Sequence, residues 1–299
     1  MNSFSGSKQP SLTTNAQKGK GDNPLIVSVT SGKGGVGKTL TTVNLAIAAR
    51  KMGKSVLIFD ADLGLANVDV VMGLTARYNI KDVLEETIPL KDIIVNGPLG
   101  IRVIPSGSGI RMLAQLSPIQ RLQISDQLES LDEKFDVIFL DTGAGISDNV
   151  LHFNACADRV LVVTTPEPHA MTDAYALIKV MTEEYKDKSF FLLVNQARSA
   201  DEGLKVFGRI ADVAKRFLGV TVEFAGHVPM DLQVQRNVML RRAAPETASM
   251  SIAGQAWNEI ALKFFSEWCT PAARDHKGVW RHLFVPVRPF ETATVQARV

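Results

Sequence analysis

Eight residues constrain this chain more than any others: Gly32-Lys33-Gly34-Gly35-Val36-Gly37-Lys38-Thr39. An apolar run, 25–30, precedes them and an amphipathic stretch, 38–52, follows, so a buried strand must pass into a helix through a glycine-rich turn. Gly32, Gly34, Gly35 and Gly37, with Val36 among them, let the backbone fold tightly and aim successive N–H groups at phosphate oxygens. The helix N-terminus adds its positive end. Lys38 is placed to reach the β- and γ-phosphates of a nucleotide, and the Thr39 hydroxyl to face Mg²⁺. Lys33 is one lysine more than such a loop needs.

The rest of the chain has the same character. Strand-like runs at 55–60, 101–105, 135–141, 159–165, 189–195 and 220–228 are mostly continuous apolar segments, the pattern of strands covered on both faces. Helical stretches at 117–131, 171–185, 204–217 and about 251–268 lie between or after them. This alternation predicts a doubly wound, mostly parallel α/β sheet flanked by helices. With 299 residues, 45% hydrophobic and 21% charged, the chain can bury such a core, and the composition excludes collagen, a disulfide scaffold and disorder throughout. No uncharged apolar run reaches the length of about 18 residues that spans a bilayer.

Three parts follow. Residues 1–24 carry only four apolar side chains and no hydrophobic signal region, and read as a flexible arm. Residues 25–269 form the domain, and 270–299 a basic tail. The overall charge of +2 divides into +2 on the arm, +3 on the tail and −3 on the domain, which disfavours a broad nucleic-acid footprint. Cys156 and Cys269 lack the spacing of a metal site, and a reducing cytoplasm suits them as small buried hydrophobes. The five histidines likewise show no ligand spacing, and Arg241-Arg242 reads as a solvated pair.

Two further segments point at the same chemistry. The second strand ends in Asp60-Ala61-Asp62, two carboxylates where open α/β sheets keep their ligands, able to serve a cation's water shell and an attacking water together. Phe135-Asp136-Val137-Ile138-Phe139-Leu140-Asp141 delivers a carboxylate from a buried strand toward Mg²⁺, and Gly143-Ala144-Gly145 supplies a turn that can swing toward a γ-phosphate. The later strand ends Val194-Asn195-Gln196-Ala197-Arg198, with arginine where a guanine-reading carboxylate would stand; an amide such as Asn195 can accept from the adenine amine, so ATP is favoured over GTP.

With these residues in place, the loop resembles the deviant Walker A motif of the MinD/ParA superfamily, over about residues 25–265. The resemblance implies an ATPase fold of the P-loop class, in which Lys33 crosses a dimer interface to the partner's ATP while Lys38 acts in its own site. It implies Asp62 as the water-positioning residue, Asp60 nearer the Mg²⁺ shell with Thr39 and Asp141, and an adenine-side loop at Pro229-Met230-Asp231. Segments 60–73, 104–110 and 140–147 are similar to the FlhG (FleN, YlxH) branch. That branch implies a homodimer when ATP-bound, control of flagellar number and placement, and flagellar partners such as the FlhF GTPase and a transcription regulator or switch component. The neighbouring alternatives are a septum-site ATPase of the MinD kind and, less favoured, a ParA-type DNA-partitioning ATPase. Two departures stand out. No Asp-Gln-Ala-x-x-Leu-Arg activator segment is found in residues 1–24, and Leu40 replaces a second hydroxyl aimed at the α-phosphate.

The tail carries one more expectation. In 277–285, Val279, Trp280, Leu283 and Phe284 share one face of a helix, with Lys277 and Arg281 off it and Pro286 beyond. Such a basic amphipathic segment reads as an anchor on the anionic inner face of the cell membrane, and resembles the helix that ends MinD proteins. A tail packed back on the domain is the alternative. The protein is expected in the cytoplasm, peripherally attached.

Overall fold

The computed structural model describes residues 24–62, 67–85, 87–106, 117–131, 133–185, 188–239, 251–268, 280 and 283. The arm, the Arg241-Arg242 pair, Cys269 and most of the tail segment lie outside them.

Eight strands form one sheet. In chain order they are β1 (Leu25–Ser31), β2 (Val56–Ala61), β3 (Val95–Asn96), β4 (Arg102–Ile104), β5 (Val137–Ala144), β6 (Arg159–Thr164), β7 (Phe190–Ala197) and β8 (Val222–Pro229), arranged 3-4-2-5-1-6-7-8. All pairings are parallel except β3 with β4. The seven longer strands stand at the apolar runs read from the sequence; the two-residue antiparallel edge β3 had no such run.

Helices cover both faces. They are α1 (Lys38–Lys51), α2 (Val68–Met72), α3 (Ile80–Leu84), α4 (Leu90–Ile93), α5 (Pro118–Glu129), α6 (Asp148–Cys156), α7 (Pro168–Glu184), α8 (Ala200–Leu218), α9 (Leu232–Met239) and α10 (Ile252–Lys263), the last continued by a π turn, Phe264–Trp268. Alternate strand residues feed opposite layers. Val27, Val29, Phe139, Leu161 and Leu193 pack against α1 and α10, with Trp257 and Phe264. Ile26, Leu57, Phe59 and Leu140 pack against α3 to α6, and Val160, Val162 and Leu192 against α6, α7 and α8. Every residue of β1 and β2 is buried, which is why these strands read as mostly apolar runs without alternation.

The two described tail residues sit on the second face. Leu283 is buried and Trp280 partly buried among Ile124, Leu128, Phe153 and Cys156. His152 Nε2 lies 2.8 Å from the Leu283 carbonyl oxygen, and Ser125 Oγ donates to the Trp280 carbonyl at 3.4 Å. Trp268 packs on the opposite face of the sheet. Two of the four apolar side chains of the tail's amphipathic face are thus packed on the domain. Cys156 is buried and not disulfide-bonded.

Candidate active site

The phosphate-loop candidate spans the carboxyl end of β1 and the start of α1. Gly35 and Gly37 take positive φ, 79° and 92°, a region closed to side chains with a Cβ except at a cost in strain. At Gly37 space is also short, since a Cβ there would sit 2.3 Å from Asn195 Nδ2. Asn195 donates that amide to the Val36 carbonyl at 2.8 Å and accepts from Gln196 N–H at 2.9 Å. Its amide therefore braces the loop from below, a task that composition and spacing did not suggest. Gly32 is pressed against α7, where a Cβ would meet the Asp173 carbonyl oxygen at 2.1 Å. Gly34 has open space around it.

The two lysines are sorted into different surroundings. Lys38 is buried, and desolvation lowers its pKa against the opposing pull of Asp141 and Asp62. Lys33 points sideways: its Nζ donates to Glu167 Oε1 at 2.6 Å, and the Ser31 hydroxyl donates to the Lys33 carbonyl at 2.7 Å.

Beside Lys38, β2 and β5 set Asp60 and Asp141 as register partners. Asp141 accepts from the Thr39 hydroxyl and from Thr42 Oγ1, the latter at 2.9 Å. Burial pushes Asp141 up to about 6, with these hydroxyls and Lys38 opposing. Burial, and then the neighbouring Asp141 charge, push Asp60 up to about 8. Asp60 accepts from the N–H groups of Asp62, Asn67 and Val68 at 3.1 to 3.3 Å, so it gathers the segment that leaves β2. Asp62 lies over the next turn, its Oδ1 3.5 Å from where a Cβ on Gly143 would be. That turn is tied to the phosphate loop by Gly145 N–H donating to the Ser31 carbonyl at 2.8 Å. The Asp62 carbonyl accepts from Ser106 Oγ at 3.0 Å.

These donors suit Mg²⁺. They are hard oxygens with no thiol or imidazole, and Asp60 and Asp141 are buried as neighbours, so a divalent cation would favour their ionised forms.

Pro229 ends β8, and Asp231 follows two residues later. With Leu40, Asn195, Met230 and Trp257 they line an apolar cavity of about 260 Å³ beside the loop. Asp231 spends its carboxylate on backbone, accepting from Gln233 N–H at 2.9 Å and Ala253 N–H at 3.2 Å. Leu40, the departure noted in the loop, faces this cavity. The chain thus brings Lys38, Thr39, Asp60, Asp62 and Asp141 into one cluster, sets Leu40, Asn195, Pro229 and Asp231 around an adjoining cavity, and holds Lys33 at the rim. Thr42, Glu167 and Trp257 were not found from sequence. Thr42 had a signal, four residues past Lys38 on one helix face; Glu167, 134 residues from its partner, had none.

Comparison with known proteins agrees with this fold. The profile of a family described as an AAA domain matches residues 25–192. The chain is 41% identical to the antiactivator FleN of Pseudomonas aeruginosa, over 83% of this chain and 88% of that protein. It is 35% identical to the flagellum site-determining protein YlxH of Helicobacter pylori, over 80% and 81%. Its fold overlays the septum site-determining protein MinD of Pyrococcus horikoshii, solved with Mg-ADP, with a TM-score of 0.66 at 23% identity, covering 82% of this chain and 97% of that one.

Proposed function

The chain belongs to the MinD/ParA family of P-loop ATPases, and from that premise we propose that it is a slow, switch-like ATPase whose ATP-bound homodimer regulates flagellar number and placement. The chemistry is in-line attack of water on the γ-phosphate. Lys38 contacts the β- and γ-phosphates from within its own site. Lys33 reaches the phosphates of the partner's ATP, which couples hydrolysis to dimerisation. Asp62 orients the attacking water across from Gly143. Mg²⁺ would be held by Thr39, with Asp60 and Asp141 beside it, and would supply neutralisation of the phosphate charge. The purine sits in the cavity beside Leu40, against Pro229.

The observation that carries the catalytic part is the buried cluster itself: Lys38 between the charges of Asp62 and Asp141, under a loop where Gly32 and Gly37 leave no room for a side chain. The flagellar role rests on likeness to FleN and YlxH. No described helix is long and apolar enough to cross a membrane. Membrane attachment in this reading is peripheral, through the tail, and requires Trp280 and Leu283 to leave their places on α5 and α6. Trp280→Glu should abolish ATP-dependent binding to anionic vesicles; unchanged binding would remove the tail from the proposal.

The flagellar partners named by the resemblance, the FlhF GTPase and a transcription regulator or switch component, enter here as proposals. Deleting the gene in its host and counting flagella tests the role. Extra or misplaced flagella on normally dividing cells are expected. Minicells or filaments with normal flagella would move the same switch to the septum-site role.

A further inference from the structure

The two loop lysines differ in what holds them, and the difference has a structural cause on α7. Glu167 occupies the N-cap of this helix, yet its side chain caps nothing there. Helices are usually capped by Ser, Thr, Asp or Asn, whose short side chains turn back on their own N–H groups. The longer Glu167 side chain instead crosses to Lys33, with Oε1 2.6 Å from Nζ. The fold places the two side by side because β1 and β6 are neighbours, with Thr30 opposite Val162, so the loop after one strand meets the helix start after the other.

One further contact holds the front of the loop to the same helix, and a second fixes the loop to the end of β1. Gly32 lies so close to Asp173 that no side chain fits between them, and Ser31 Oγ fixes the Lys33 carbonyl. Lys33 is thereby kept outside the carboxylate cluster of Asp60, Asp62 and Asp141, while Lys38 is committed to it.

We propose that Glu167 is a positioning residue for Lys33: it holds this lysine in an intramolecular ion pair in the undimerised chain, and dimerisation must break that pair before Lys33 can serve the partner's nucleotide. The role rests on the reading of Lys33 as a partner-reaching residue. Glu167 then sets the threshold for assembly, a brake that acts before chemistry. Both side chains are substantially solvated, 34% and 52% exposed, so the brake is light. Exposed pairs of this kind shift an equilibrium by about two- to fivefold.

Sedimentation velocity on the full chain, with Mg²⁺ and a slowly hydrolysed ATP analogue, tests this. Glu167→Gln should lower the protein concentration for half-dimerisation about two- to fivefold at low salt. The difference should vanish in about 1 M salt, where the screening length is only about 3 Å. The monomer's affinity for the analogue should not change, which separates release of Lys33 from general damage to the loop. Lys33→Ala should not dimerise. An unchanged or raised midpoint in Glu167→Gln, or a shift that persists at high salt, would overturn the role of Glu167 alone. Dimerisation of Lys33→Ala at the wild-type midpoint would overturn the reading of Lys33 beneath it.

Discussion

At Gly37 two independent constraints meet: a φ of 92° and a Cβ position 2.3 Å from Asn195 Nδ2. Gly37→Ala should therefore weaken nucleotide binding by at least tenfold and destabilise the protein by about 1–3 kcal/mol. Isothermal titration and thermal melting would check both, and an alanine variant of wild-type affinity would show that the loop is more pliant than its contacts indicate. The glycines and Lys38 were legible in the sequence because their chemistry is local: a turn, a helix start and a lysine fall within eight residues. Asp60 and Asp141 were legible as ends of apolar runs, though not that they would be register partners or that Asp60 would gather three N–H groups. The bracing of Val36 by Asn195 and the Lys33–Glu167 pair depend on which strands become neighbours, information that no window of residues contains.

Continuity of burial decided which elements could be read. Most of the longer strands stood out because both their faces are covered, whereas β8, at the sheet edge, is only partly buried. Helices α2, α3 and α4, of four or five residues, complete too few turns to show a period, and α6 mixes His152 and Asn154 into its nine residues. Helix α7 begins at Pro168, three residues before the expected 171, and the proline at its first turn is a local start signal. The signals bounding α8 are clear, although the expected range of 204–217 begins four residues late: Ser199 caps it by accepting from Glu202 N–H at 3.2 Å, and Gly219 closes it in a left-handed conformation. Ser199→Ala should lower stability by about 1 kcal/mol in chemical denaturation while leaving nucleotide affinity unchanged. A loss of affinity would mean that α8 is coupled to the site through β7.

The whole molecule is a sheet that concentrates charge at one end of its central strands. Burial raises the acid ranges of Asp60 and Asp141, to about 8 and about 6, so the folded state binds more protons than the unfolded chain above the usual carboxylate range of about 4. Stability of the nucleotide-free protein should then fall as pH rises from about 4 to 8. Thermal melting should show this slope, and Asp60→Asn should flatten it. Mg²⁺ with nucleotide should also reduce it, because binding needs the carboxylates ionised and releases their protons. A wild-type slope retained in Asp60→Asn would assign the pH dependence elsewhere.

The central claim is that ATP assembles a dimer and that hydrolysis, directed by Asp62, takes it apart. One paired measurement reaches it most directly: ATP turnover and sedimentation of Asp62→Ala beside the wild-type chain. We expect the variant to lose turnover by about two orders of magnitude or more while remaining dimeric in ATP and monomeric in ADP. Wild-type turnover in Asp62→Ala, or a wild-type chain whose association ignores the nucleotide, would contradict it.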